Sequence, residues 1–334
     1  MKKIFFIGCL FYQTILWAQQ PIYSQYYAAP MQLNPAFAGL VEAPVIQLSY
    51  RNQWPNIPNA YQTFSAGYSQ YFSKMNSSFG FRAEGDVAAG GLYSSVRLSG
   101  LYVYDIRFDK NSYIRVGFDA SIVSQRLNWN KLVFLDQLDL VTGTSNAQGV
   151  PNSTQELAGT NSRTYLDFSP GFLVNTAYFF AGFSLRHLNA PNESLMGANG
   201  EGTDELPVGF SFQAGSQIKI GNSNNKRRAS SFISPNLLWY KEGRSQQLNV
   251  GAYVKYQLFL GGIWFRHTFT NADAVILMVG IQKGMLKVAY SYDWTVSALG
   301  GSTGGAHEIT LLFNFENEKA AYKNRYNDCL GLFR

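Results

Sequence analysis

Cysteine, charge and long apolar runs are all scarce in this 334-residue chain. Each scarcity excludes something. The two cysteines are Cys9, inside an N-terminal apolar stretch, and Cys329 near the other end, so no intramolecular disulfide framework survives loss of that stretch. Charged residues make up 14% of the chain. A soluble domain usually carries about 25%, so something other than water faces much of this surface. Beyond the N-terminal stretch no window approaches the roughly 18 uninterrupted apolar residues of a spanning helix, which excludes a helical membrane protein. The formal charge is +6, falling to +4 without Lys2 and Lys3, too mild for a nucleic-acid binder.

What is present begins with "MKKIFFIGCLFYQTILWAQQ": two lysines, an apolar run from Ile4, then Ala18 before two glutamines. This is the layout of a secretory signal peptide over residues 1–18, and the chain is expected to leave the cytoplasm. Ile7, Gly8 and Cys9 hint at a lipoprotein box, but cleavage there would leave an apolar core of about five residues against the usual 7–15.

Aromatics reach 16% while mean hydropathy is only −0.12. A transmembrane β-barrel reconciles the two, because each strand alternates a lipid-facing apolar residue with a lumen-facing polar one and the average cancels. In "SSVRLSGLYVYDIRF" one face carries Val96, Leu98, Tyr102, Tyr104, Ile106 and Phe108, the other Arg97, Ser99, Leu101, Val103, Asp105 and Arg107. "MLKVAYSYDWTV" and "QLNVGAYVKYQL" repeat the split. A slip of one residue would turn Arg97 toward lipid at about 2–4 kcal/mol, so the pattern fixes register as well as type.

About fourteen such segments begin near residues 44, 62, 78, 93, 112, 164, 177, 207, 229, 247, 260, 274, 285 and 306. Connections alternate between long or motif-rich ("NQWPNIPNA", the stretch Leu127 to Arg163, "LNAPNESLMGANGEGTDELP", "SALGGSTGGA") and mostly short ("SKMNSS", "DKNS", "NTA", "LGG", "KGM"). Outer-membrane barrels have long outside loops and short periplasmic turns. The expected organisation is an all-β antiparallel barrel over residues 43–316, preceded by a periplasmic or lumenal segment at 19–42 and followed by a periplasmic tail at 317–334. Inward Leu101, Val103, Tyr253 and Phe259 suggest a filled lumen.

Several motifs in order, "PIYSQYYAAPMQLNPAFAGL", "RNQWPNIPNAYQTFSAGYSQYF", "AGGLYSSVRLSGLYVY", "AGFSLRHLNAP" and "DAVILMVGIQKGMLKVAYSYDWTVSALGGSTGGAHEI", together with the Cys329 tail, resemble the PorP/SprF family of the Bacteroidetes type IX secretion system. The resemblance implies an outer-membrane protein serving secretion or surface attachment of particular cargo, notably gliding adhesins. It implies as partners the C-terminal sorting region of a secreted protein, the translocon and the periplasmic ring.

Catalytic signals are weak. "GGSTG" fits G-x-S-x-G but is followed by a strand where a serine elbow needs a helix. His307 and Glu308 lack a second histidine four residues on, and His187 and His267 are isolated in sequence. "GANGEG" lacks the strand-to-helix context of a nucleotide fingerprint. The reading is of a non-enzymatic barrel with no metal site, no cofactor and no nucleic-acid partner. Pro55 and Pro58 stiffen the loop that carries Trp54, which suits a girdle residue, a plug or a partner contact. Pooling the outer loops favours partner contact, with candidates Gln53, Trp54, Asn56, His187, Asn189, Arg266, His267, Asp273, His307 and Glu308. The alternative function is a porin-like channel for small solutes.

Overall fold

The computed structural model describes residues 23–25, 27, 29–109, 112–139, 141, 143–145, 150–155, 162–195, 205–220, 231–269, 271–296, 302–316, 329–330 and 333. The signal-peptide reading of residues 1–18 lies outside them, as do "GANGEG" and the first two glycines of "GGSTG".

The strands run in chain order: β1 (Val45–Gln53), β2 (Tyr61–Phe72), β3 (Ser77–Ala88), β4 (Tyr93–Arg107), β5 (Tyr113–Leu127), β6 (Ser162–Asn175), β7 (Phe179–Arg186), β8 (Gly209–Ser216), β9 (Ile218–Lys219), β10 (Phe232–Glu242), β11 (Ser245–Tyr256), β12 (Phe259–Thr268), β13 (Asn271–Lys283), β14 (Leu286–Thr295) and β15 (Ala306–Asn314). Each pairs antiparallel with its neighbour, and β15 returns to pair with β1. β8 and β9 form one stave interrupted at Gln217, since both pair with β10, so the closed barrel has fourteen staves. The observed starts lie within three residues of those read from the sequence.

Closure pairs every stave with two neighbours, so little sheet edge is left for lipid to meet. Alternation then sorts the side chains. In β4, Val96, Leu98, Tyr102, Tyr104 and Ile106 are 42–51% exposed on the outer face, while Arg97, Ser99, Leu101, Val103 and Asp105 are buried inside. Phe259 departs from its expected inward place and is 64% exposed. The inward set of β12 is Leu260, Gly262, Trp264 and Arg266, and the missing Cβ of Gly262 makes room for the Trp264 ring. One connection on the long-loop side is a two-residue hairpin. Glu242 pairs directly with Ser245 across Gly243 and Arg244, and Gly243 supplies the positive φ that such a two-residue hairpin requires.

The interior is occupied by the protein itself. The described residues between Tyr23 and Val41 thread the lumen from the long-loop end, where Ser24 meets Glu308, to the short-turn end, where the carbonyls of Ala38 and Gly39 accept from Arg115. Two short turns of helix, Pro30–Leu33 and Pro35–Phe37, lie along this path. The sequence reading set residues 317–334 down as a periplasmic tail, yet Cys329, Leu330 and Phe333 are buried in the interior core. Phe333 stacks on Phe37 at 4.8 Å and meets the edge of Phe180, an apolar contact that exposure to water would forfeit.

Candidate functional site

Three features make the site: the seat of the N-terminal segment, the buried charges that line it, and the rim above. The seat rests on missing side chains. A Cβ at Gly171 would strike Asn34 Oδ1 and Pro35, one at Gly117 would sit 2.5 Å from Ala36 N, and one at Gly67 would sit 2.8 Å from Met31 Cε. Asn34 and Pro35 supply the helix-start chemistry that presents this turn to the wall. Asn34 Oδ1 accepts from Ala36 N at 2.9 Å, while Nδ2 donates to Phe172 O, Phe183 O and Gln213 Oε1 at 3.0–3.3 Å. Ser184 and Ser211 donate to Leu33 O.

At the long-loop end the wall grips the segment through ions. Glu308 accepts from the backbone N–H groups of both Ser24 and Gln25, at 2.8 and 3.0 Å. Arg51 Nη1 donates to Ser24 Oγ and Glu308, and Arg51 Nη2 lies 3.2 Å from Asp293. Arg266 bridges Asp293 and Asp273. Deeper in the lumen, Arg82 pairs with Asp119 and Arg115 with Asp105. Across the lumen Arg97 and His187 Nδ1 approach Asp167 Oδ2 at 2.6 and 2.9 Å, and Glu242 accepts from Tyr240. Charges buried this well are compensated, so removing one partner of such a pair costs about 3–5 kcal/mol.

The structure divides the predicted rim residues. Arg266 and Glu308 face the lumen and hold Ser24 and Gln25 rather than presenting donors outward. His187 is fully buried. Asn189 is committed to β6, with Oδ1 accepting from Phe168 N and Nδ2 donating to Leu166 O. His267 stacks on Phe265 and meets Phe269 at a tilt, and His307 Nδ1 lies 2.7 Å from Tyr290 Oη. Gln53, Trp54 and Asn56 stay together at the top of β1. There Trp54 N donates to Gly305 O and Asn56 N to Thr303 O, interlocking the first outer loop with the last. Trp54 has φ 60°, a strained left-handed conformation for a bulky residue.

Sequence reasoning missed Asn34, Arg51, Asp167, Asp293 and the lumenal role of Glu308. The helix-start signal of Asn34-Pro35 was available, but its seat was not, because the five wall glycines near the segment are scattered from Gly67 to Gly182. The long outer loop after β5 carries internal hydrogen bonds among its described residues. Gln137 and Asn152 exchange side-chain to backbone hydrogen bonds there, while Leu135 and Val141 stand 85% and 92% exposed. Among the described residues no three His, Cys, Asp or Glu side chains gather to hold a metal ion.

No curated protein matches the chain. Solved structures similar to it include a variant of Rh. blastica porin, at 8% identity and TM-score 0.35, covering 82% of this chain and 99% of that one. KdgM porin is similar at 10% identity and TM-score 0.35, covering 81% and 99%. Likenesses this distant add nothing to the strand order described above. The family model of the type IX secretion system membrane protein PorP/SprF matches residues 16–313. The chain therefore belongs to the PorP/SprF family of type IX secretion system membrane proteins, as an outer-membrane β-barrel.

Proposed function

We propose that this barrel assists the secretion of a particular cargo protein, such as a gliding adhesin, and anchors it at the cell surface. The C-terminal sorting region of that cargo meets the long-loop rim, while the short-turn end faces the translocon and the periplasmic ring. The observation that carries this reading is the filled lumen. Tyr23 to Val41 together with Cys329, Leu330 and Phe333 occupy the space that a solute channel needs, which leaves the rim as the working surface. The rim supports the role because its first and last loops are interlocked and its long loop holds exposed apolar side chains, so contact with a partner would cost little ordering entropy. Nothing in this reading calls for catalysis.

Two measurements test it. Affinity purification of the tagged barrel from outer membranes should recover a large secreted protein. The purified barrel in a planar bilayer should show no large steady conductance, and stable porin-like currents from the intact protein would favour solute uptake instead.

A further inference from the structure

The wall has one weak seam. β6 pairs with β5 along its whole length, Ser162 to Asn175, but with β7 only from Gly171 to Asn175. β7 ends at Arg186, so the outer half of β6 has no strand on that side. In an antiparallel ladder successive residues point their N–H and C=O groups alternately to the two neighbours. Phe168 and Leu166 use theirs on the open side, so Thr164 and Pro170 point there too. Pro170 has no N–H to leave unpaired, which marks the lower limit of the opening.

Above Pro170 the missing strand is imitated. Leu188 N donates to Phe168 O, and the Asn189 carboxamide accepts from Phe168 N and donates to Leu166 O. That pair of contacts is the one that the N–H and C=O of a single residue in an added parallel strand would make. The imitation stops there: among the described residues no hydrogen bond reaches the N–H of Leu166 or the backbone groups of Thr164 from this side. Leu166 is 54% exposed on the outer face and stands opposite Ile122, also exposed, whereas Thr164 stands opposite Ser124, so the edge crosses the boundary of the apolar band. An unpaired N–H at that depth is costly, and a polypeptide partner is the natural remedy.

We propose that the outer edge of β6, Ser162 to Leu166, is a strand-addition site that takes an extended segment of the secreted cargo. The inference rests on the anchoring function proposed above. The occupant's chemistry follows from the edge: main-chain hydrogen bonds supply the affinity, as the Asn189 carboxamide already does for Phe168 N and Leu166 O. At the outer end Arg163 donates through Nε to Asn192 O at 3.0 Å, while the exposed side chain of Arg126 favours a carboxylate on the cargo there.

Proline provides the test. Leu166→Pro and Thr164→Pro delete donors only on the open side, leaving the β5 ladder intact as Pro170 does. With both in place the barrel should keep its heat-modifiable mobility while surface retention of the cargo falls by about tenfold, the scale of two lost hydrogen bonds. Wild-type retention by this variant would overturn the proposal. A second arm needs no variant. In the purified wild-type barrel the Leu166 amide should exchange with solvent faster than the amides of Tyr165 and Asp167, which face β5, and adding the purified sorting region of the retained protein should slow it; unchanged exchange would overturn the proposal even if the double variant failed to fold. Cells lacking the barrel separate the two claims. Retention lost there but kept in the proline variant sinks the edge alone, and retention kept without any barrel sinks both.

Discussion

Replacing Asn34 with alanine attacks the seat of the lumenal segment at one atom group while sparing the wall. The carbonyls of Phe172 and Phe183 sit in the β6–β7 ladder and lose only a supplementary donor. Gln213 Oε1 loses a buried partner at 3.2 Å and Ala36 N loses its cap at 2.9 Å. A lost cap costs about 0.5–2 kcal/mol and a buried group left unpaired about 1–3 kcal/mol. Together they weaken docking by about 2–4 kcal/mol, raising the undocked population by roughly thirtyfold to several hundredfold. The reporter is Met31→Cys in a Cys329→Ala background, because Met31 is only 6% exposed against the wall and a smaller side chain fits its place. Where local opening equilibrates faster than alkylation, the maleimide labelling rate follows the open population. Asn34→Ala should therefore accelerate labelling by at least about thirtyfold with barrel mobility unchanged. Labelling within threefold of the parent would show that Asn34 does not hold the segment, and immediate labelling of the parent would show that the segment is not docked.

Gly171→Ala should displace the segment as Asn34→Ala does, whereas Gly100→Ala, whose added Cβ meets nothing within 4 Å, should leave the labelling rate unchanged. Deleting residues 19–41 should convert a silent barrel into one with steady conductance in a planar bilayer, and continued silence would show that the segment is not what closes it. Asp167→Asn weakens the shared anchor of Arg97 and His187, and should lower the barrel's unfolding free energy in urea by up to about 3–5 kcal/mol; a change below 1 kcal/mol would contradict compensated burial. Cysteines at Leu135 and Tyr178, which are 85% and 81% exposed at opposite ends, should label from outside whole cells only at Leu135, and the reverse pattern would invert the topology.

The wall was readable because its rule is local. Two neighbouring residues suffice to tell that Arg97 faces in and Leu98 faces out, and lipid enforces that answer along every strand. The interior was not readable in that way. Glu308 follows His307 on an outer loop motif and reads as a rim acid, yet the same alternation that placed Leu98 outside turns Glu308 inward, where two backbone N–H groups 283 and 284 residues away wait for it. Asn34 offered a local signal for a helix start, but its partners Phe172, Phe183 and Gln213 belong to three different strands. Asn189 was singled out as a partner-binding donor because it sits in a loop; the end of β7 at Arg186 gives it a different task, standing in for a strand. Phe259 was misplaced for a simpler reason, since it opens β12 directly after a tight turn, where two residues of connection reset the alternation.

The most direct test of surface anchoring compares the surface proteins of cells with and without this chain while general type IX secretion is monitored in both. One secreted protein, or a small set sharing a C-terminal sorting region, should disappear from the surface while other secreted proteins remain. An unchanged set of surface proteins, accompanied by slower uptake of small solutes, would contradict it.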